Sequence, residues 1–98
     1  MVNKLYPVVW TPDFLEDVSL AVEYVANVLK APIAAKNMLD GITAQLENVR
    51  AIPTAAVVRY GQRGEKYYIL SYKNYNIYYI IENETIKAVG LKHQLQNL

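Results

Sequence analysis

Histidine and cysteine, the side chains that titrate nearest neutral pH, are scarce in this 98-residue chain. His93 is its only histidine, and there is no cysteine, so thiolate chemistry and a disulfide framework are both excluded. The candidates for proton transfer are His93, Tyr78, Lys73 and Lys92. Scission of RNA by attack of a 2′-oxygen needs a base for that oxygen, cations for the charge that builds on phosphorus, and an acid for the leaving oxygen. These four residues could supply parts of such a set. The plainer reading of His93 is an exposed histidine near a chain end. No carboxylate pair, nucleophile–base pair or metal-ligand cluster stands out. With one histidine and no cysteine, neither a metal site nor a cofactor is expected. Gly61-Gln62-Arg63-Gly64 lacks the spacing and the GK[ST] ending of a phosphate loop and reads as a turn.

The length fits a single domain, residues 1–98, and the 53% hydrophobic content is enough to fill its core. No run of about 18 apolar residues exists, so no membrane span is expected. The opening MVNKLYPVVW lacks the long apolar run of a signal peptide, and a cytoplasmic protein is expected. Charge is unevenly spread. Residues 1–49 hold three Lys/Arg against six Asp/Glu, a balance of −3, while residues 50–98 hold seven against three, a balance of +4. An acidic helical half packed on a basic sheet half accounts for this; the sharper reading is that the C-terminal half meets an anion. A net charge of +1 makes general nucleic-acid binding unexpected, because counterion release needs several cations on one face.

Residues 4–10, KLYPVVW, are β-branched and aromatic and read as a strand, with Pro7 suited to an edge or to the strand's first residues. Thr11-Pro12-Asp13 reads as N-cap, first helical residue and an acid at the positive end of the dipole. Leu15, Val18, Val22, Val25 and Leu29 then mark an apolar stripe on a helix over 11–29. Ala31-Pro32 breaks it and starts another, whose stripe is Ala35, Leu39, Ile42, Leu46 and Val49. Gly41, in mid-helix, suggests close approach of the first helix. Residues 50–56 read as loop and 56–60 as a brief strand.

Six of the nine tyrosines fall in YYILSYKNYNIYYII, residues 67–81. Strands over 66–72 and 75–81 joined at Lys73-Asn74 set a register in which Tyr72 opposes Tyr75, Leu70 opposes Ile77 and Tyr68 opposes Tyr79. Alternation then puts Tyr68, Leu70, Tyr72, Tyr75, Ile77, Tyr79 and Ile81 on one face, the natural seat for the helices. The other face carries Tyr67, Ile69, Ser71, Asn76, Tyr78 and Ile80. A last strand over 85–92, with Ile86 opposite Ile81, adds Lys87, Val89, Leu91 and His93 to this second face. No helix is left to cover it, so Tyr67, Ile69, Asn76, Tyr78, Ile80, Lys87, Val89 and Leu91 are the expected partner-binding residues. Arg59, Arg63, Lys66, Lys73 and Lys87 around them would favour an acidic partner segment. The tail HQLQNL is polar and expected to be loose.

The predicted fold class is therefore α+β, β-α-α-β-β-β: an antiparallel sheet with a helical hairpin on one face. In this order VVWTPDFLEDV, EYVANVLKAPIAAKNMLDGI and YKNYNIYYIIENETIKAV resemble the first strand and helix start, the alanine-rich second helix, and the Lys-Asn-Tyr hairpin of the RelE/ParE superfamily. These are toxins of bacterial type II toxin–antitoxin modules. The resemblance spans nearly the whole chain. It implies a cytoplasmic toxin of a plasmid-stabilisation or addiction system that inhibits growth and is neutralised in a hetero-oligomer with a cognate antitoxin. It also implies a target, either DNA gyrase or ribosome-bound messenger RNA. Members that cut messenger RNA place Lys and Arg on the open face, where this chain has Tyr67, Ile69 and Asn76. Many also end in an arginine-rich tail; here KHQLQNL keeps His93 and has no arginine beyond it. Three readings stay open: a toxin acting by binding, an endonuclease with a non-standard catalytic set, and a degenerate member that only binds its antitoxin.

Overall fold

The structure, a computed structural model, describes residues 4–95. Strand β1 spans Val8–Trp10, helix α1 Pro12–Glu23 and helix α2 Pro32–Asn48; strands β2 (Val57–Tyr60), β3 (Lys66–Tyr72), β4 (Tyr75–Glu82) and β5 (Thr85–His93) follow. The five strands form one sheet in the order β1-β5-β4-β3-β2. It is antiparallel from β2 to β5, but β1 joins β5 in parallel, so the wholly antiparallel sheet expected from sequence is corrected at that edge. The helical hairpin carries the chain to the far edge, and the meander brings β5 back beside β1. Of residues 4–10 only 8–10 are strand; Pro7 still contributes, its carbonyl accepting the Ile86 N–H at 2.9 Å.

Thr11 caps α1 as its residue type suggests. Its hydroxyl oxygen accepts the Phe14 N–H at 3.3 Å and donates to the Ala88 carbonyl at 2.8 Å, which fixes the helix start to β5. The buried stripe is Phe14, Val18, Ala21, Val22 and Val25, while Leu15 and Leu29, counted in it from sequence, are about half exposed. Both stripes fit a helical period; the one holding the larger Phe14, edge-on to Trp10 at 4.9 Å, is the one that packs. The helix ends in a wide turn over Tyr24–Val28, where the Leu29 N–H reaches back five residues to the Tyr24 carbonyl. Lys30 then takes a left-handed φ of 55° and stops it.

On α2 the buried residues are Ala35, Met38, Ile42 and Leu46, followed by Val49; Met38 replaces the expected Leu39. Gly41 does not serve the first helix. A Cβ there would lie 2.0 Å from the Tyr72 ring, whose hydroxyl donates to the Asn37 carbonyl at 3.1 Å. Gly41 is thus what lets Tyr72 lie along α2. In the Tyr72→Ala background Gly41→Ala should stabilise the protein by about 1 kcal/mol, the ordinary helix-propensity gain. In the parent, displacement of the ring should cancel most of that gain. A double-mutant cycle from denaturant unfolding, with a coupling of about 0.5 kcal/mol or more, checks it.

The tyrosine hairpin has the expected register throughout: Tyr68 pairs with Tyr79, Ile69 with Tyr78, Leu70 with Ile77, Ser71 with Asn76 and Tyr72 with Tyr75. The left-handed turn residue is Lys73, with φ 52°, rather than Asn74. Asn83 and Glu84, both left-handed, make the next turn, and Ile81 pairs with Ile86. The core gathers Phe14, Val18, Met38, Ile42 and Leu46 over Tyr68, Ile77, Tyr79, Ile86 and Ala88.

One irregularity changes the face assignments. Tyr79 pairs with Ala88 but Tyr78 pairs with Gly90, so Val89 is an extra, bulged residue. Beyond it Leu91 pairs with Ile77 and His93 with Tyr75, both on the helix side, and Leu91 is part of the core. The expectation that Leu91 and His93 share the open face is thereby corrected. Gln94 N–H donates to the Asn74 carbonyl at 2.7 Å, which ties the start of the tail to the hairpin turn; residues 96–98 of the tail lie outside the described residues.

Candidate functional site

The open face of the sheet is built by alternate residues of all five strands; Val9 of β1, opposite Lys87, and Val57 and Arg59 of β2, opposite Ile69 and Tyr67, lie at its two sides. Tyr67 and Ile69 come from β3, Asn76, Tyr78 and Ile80 from β4, and Lys87 and Val89 from β5. The structure brings these seven together and leaves out Leu91. The centre of the face is less open than expected. Ile69 is 7% and Tyr78 6% exposed, covered by their own neighbours. Tyr67 stands edge-on to Tyr78, with ring centroids 6.5 Å apart and planes at 83°. Asn76 accepts from Ser71 Oγ at 3.5 Å and from Gln94 Nε2 at 3.4 Å.

Beside these rings lies a cavity of about 500 Å³. Tyr67, Tyr78, Ile80 and Val89 make its apolar wall, and Gly90, brought there by the bulge, leaves it room. Asp13, from the first turn of α1, and Glu65, from the β2–β3 turn, line it too, as does Lys92. Asp13 and Glu65 were not expected at a site: Asp13 reads as a helix-dipole acid and Glu65 as a turn residue. The path of α1 past the end of β1 places Asp13, and Glu65 stands two residues before Tyr67 at the entry to β3.

α1 runs on along β5 where β1 has stopped. There Asp17 Oδ2 accepts the Leu91 N–H at 3.0 Å, supplying the partner that a longer β1 would have offered, and lies 3.7 Å from Lys92 Nζ.

The basic rim expected around the open face is only partly assembled. Lys66 lies 5.3 Å from the centroid of the Tyr68 ring and Lys73 5.7 Å from that of Tyr72, both on the helix side. The phenol of Tyr68 holds the Lys66 ammonium above its ordinary pKa. Lys87 is ion-paired with Glu82. Arg59, opposite Tyr67, and Lys92, opposite Asn76, are cations of the open face, with Arg63 exposed in the adjoining turn.

The four candidates for proton transfer do not share one cavity: His93 lines one with Lys73 and another with Lys92, and Lys92 lines the open-face cavity with Tyr78. Tyr78 lies on the open face and His93 on the other, its ring 5.2 Å from Tyr75 and its Nδ1 accepting the Leu95 N–H at 3.2 Å. Lys73 sits at the hairpin turn, over Tyr72. Among the described residues no group of three or more His, Cys, Asp or Glu side chains is placed to hold a metal ion, and no helix is long and apolar enough to cross a membrane. Exposed apolar side chains also lie elsewhere: Leu20, Tyr24, Val28, Leu29 and Ile33, at the far end of the helical hairpin, are each at least half exposed, as is Val57 on the open face.

No curated protein sequence matches the chain significantly. A solved structure described as "Chromosomal ParDE TA system from P. aeruginosa" is similar with a TM-score of 0.74 at 13% identity, covering 91% of this chain and 96% of that one; it shows the shared fold. The family described as ParE toxin of type II toxin-antitoxin system, parDE, matches residues 8–98. With that match over nearly its whole length, the chain belongs to the ParE toxin family of type II toxin–antitoxin systems.

Proposed function

We propose that the protein inhibits growth by binding a cellular target, and that its antitoxin silences it by covering the open face of the sheet. The observation that carries the first half is the separation of His93 and Tyr78 to opposite faces, with no lysine or arginine at Tyr67, Ile69 and Asn76. A hydrolytic set needs its base, acid and cations around one phosphate. The second half rests on the half-buried apolar rim formed by Tyr67, Ile80 and Val89 around a cavity. Burial of roughly a few hundred Å² at about 25 cal/mol per Å² gives several kcal/mol before the costs of association.

Expressing the chain alone, and then with the protein encoded by the neighbouring gene, tests both halves. Growth should stop in the first case and resume in the second. Purified protein should leave ribosome-bound messenger RNA intact; clean cleavage abolished by His93→Ala would overturn the binding mechanism. Ile80→Glu should weaken the antitoxin complex about 100-fold while leaving the fold in place, as expected for the loss of a central apolar contact. Arg59→Glu should chiefly slow association with an acidic segment, and less so at high salt. An antitoxin complex indifferent to Ile80→Glu but broken by Val28→Glu would move the docking surface to the end of the helical hairpin.

A further inference from the structure

We infer that the open-face cavity is a receptor for the guanidinium group of an arginine presented by a partner protein; this rests on the reading that a partner covers this face. Two carboxylates line the cavity, and neither has a lysine or arginine within ion-pair distance among the described residues. Among the described residues the Asp13 carboxylate has no hydrogen-bond donor. Glu65 accepts the Arg63 backbone N–H through Oε2 at 2.8 Å, leaving Oε1 for another donor.

A second observation is independent of these acids. Tyr78 is more than nine-tenths buried and lines the cavity, and among the described residues its hydroxyl has no hydrogen-bond partner. No buried side-chain oxygen among the described residues lacks a partner, so the phenol oxygen is the open end of this otherwise buried side chain, free to accept from a donor placed in the cavity.

The chemistry of the lining selects the occupant. Two carboxylates exclude an anion. The remaining cation, Lys92, leans toward Asp17, 3.7 Å away, rather than compensating either acid. The Tyr67 and Tyr78 rings, with Ile80 and Val89, match the flat faces and aliphatic stem of an arginine. Its planar fork of five donors can serve two carboxylates and a phenol oxygen at once, whereas a lysine ammonium is compact and more strongly hydrated. About 500 Å³ admits the whole side chain. The partner segment is therefore mixed in charge: an arginine over the cavity, and acids where it crosses Arg59.

The probe is N-acetyl-arginine amide, titrated into the ¹⁵N-labelled full-length protein and followed by the amide signals of Tyr67, Tyr78, Val89 and Gly90. These should shift saturably, with a Kd on the order of millimolar. The lysine analogue should bind several-fold more weakly, and the citrulline analogue, isosteric but neutral, should give no saturable shift. Asp13→Asn with Glu65→Gln should weaken binding about tenfold, and Lys92→Met should strengthen it about twofold. No saturable shift with the arginine compound, or an equal response to citrulline, would overturn the inference. An arginine response combined with an antitoxin complex indifferent to Ile80→Glu leaves the cavity assignment standing and removes the antitoxin reading. The converse pair of results does the opposite.

Discussion

Tyr79→Ala should lower the unfolding free energy by about 3–5 kcal/mol, the range for an aromatic removed from a closed core. Tyr79 is fully buried, stacked on Tyr68 with ring centroids 5.3 Å apart, and its hydroxyl donates to the Pro53 carbonyl at 2.6 Å. That bond ties the loop between α2 and β2 to the centre of the sheet. Tyr79→Phe keeps the ring and loses the bond, so it should cost about 1–3 kcal/mol through the stranded Pro53 carbonyl. The two variants also separate in their response to pH. Burial first, and the neighbouring Tyr68 second, push the Tyr79 phenol from its ordinary 10 up to about 12. Between those values the unfolded chain loses the proton and the folded protein keeps it. Stability from this group is therefore complete below about pH 10 and declines as the pH rises toward 12. The Phe variant should lack this part of the decline, and parallel denaturant curves from pH 9 to 12 would show it. Identical pH dependence in both proteins would mean that the phenol ionises as freely in the fold as outside it.

Where one local rule acts alone, the sequence was readable. The Lys73-Asn74 turn between two alternating strands fixed a register that the structure reproduces pair by pair. Thr11-Pro12 marked the start of α1, and Pro32 that of α2. Where two rules compete, the sequence was ambiguous. Leu15 and Phe14 both lie on helical-period stripes, and only the shape of the surface underneath chooses Phe14. Gly41 signalled a close approach, but not that a tyrosine from β3 makes it. From sequence Lys66 and Lys73 read as charges near a patch. Their aliphatic stems carry them over tyrosine rings on the far side. The candidate site was the least legible part. Asp13 reaches the open face through long-range geometry that no periodicity announces, and Glu65, though in step with Tyr67 and Ile69, stands just outside the strand and reads as a turn residue.

Leu91 and Val89 bring this difference to a measurable point. Strict alternation from Ile86 puts both on the open face and predicts that both tolerate polar substitution. The bulge at Val89 reverses that for Leu91, which is 5% exposed, pairs with Ile77 and packs in the core. Leu91→Ala should therefore cost about 2–5 kcal/mol, and Leu91→Asp should prevent folding. Val89→Ser, at a half-buried position outside the main core, should cost less than about 1 kcal/mol. Deleting Val89 is the sharper test. The ladder pairs Ala88 with Tyr79 and Gly90 with Tyr78 on either side of it, so removing the extra residue leaves both pairings and the placement of Leu91 unchanged. The deletion should fold, with Leu91 amide exchange still slow, because Asp17 continues to accept its N–H. What it should lose is the local bend and with it the shape of the cavity that Val89 and Gly90 help to line. A folded deletion variant that no longer takes up N-acetyl-arginine amide would show that the bulge exists for the open face rather than for stability. An unfolded one would show that the strand needs the bend to meet α1.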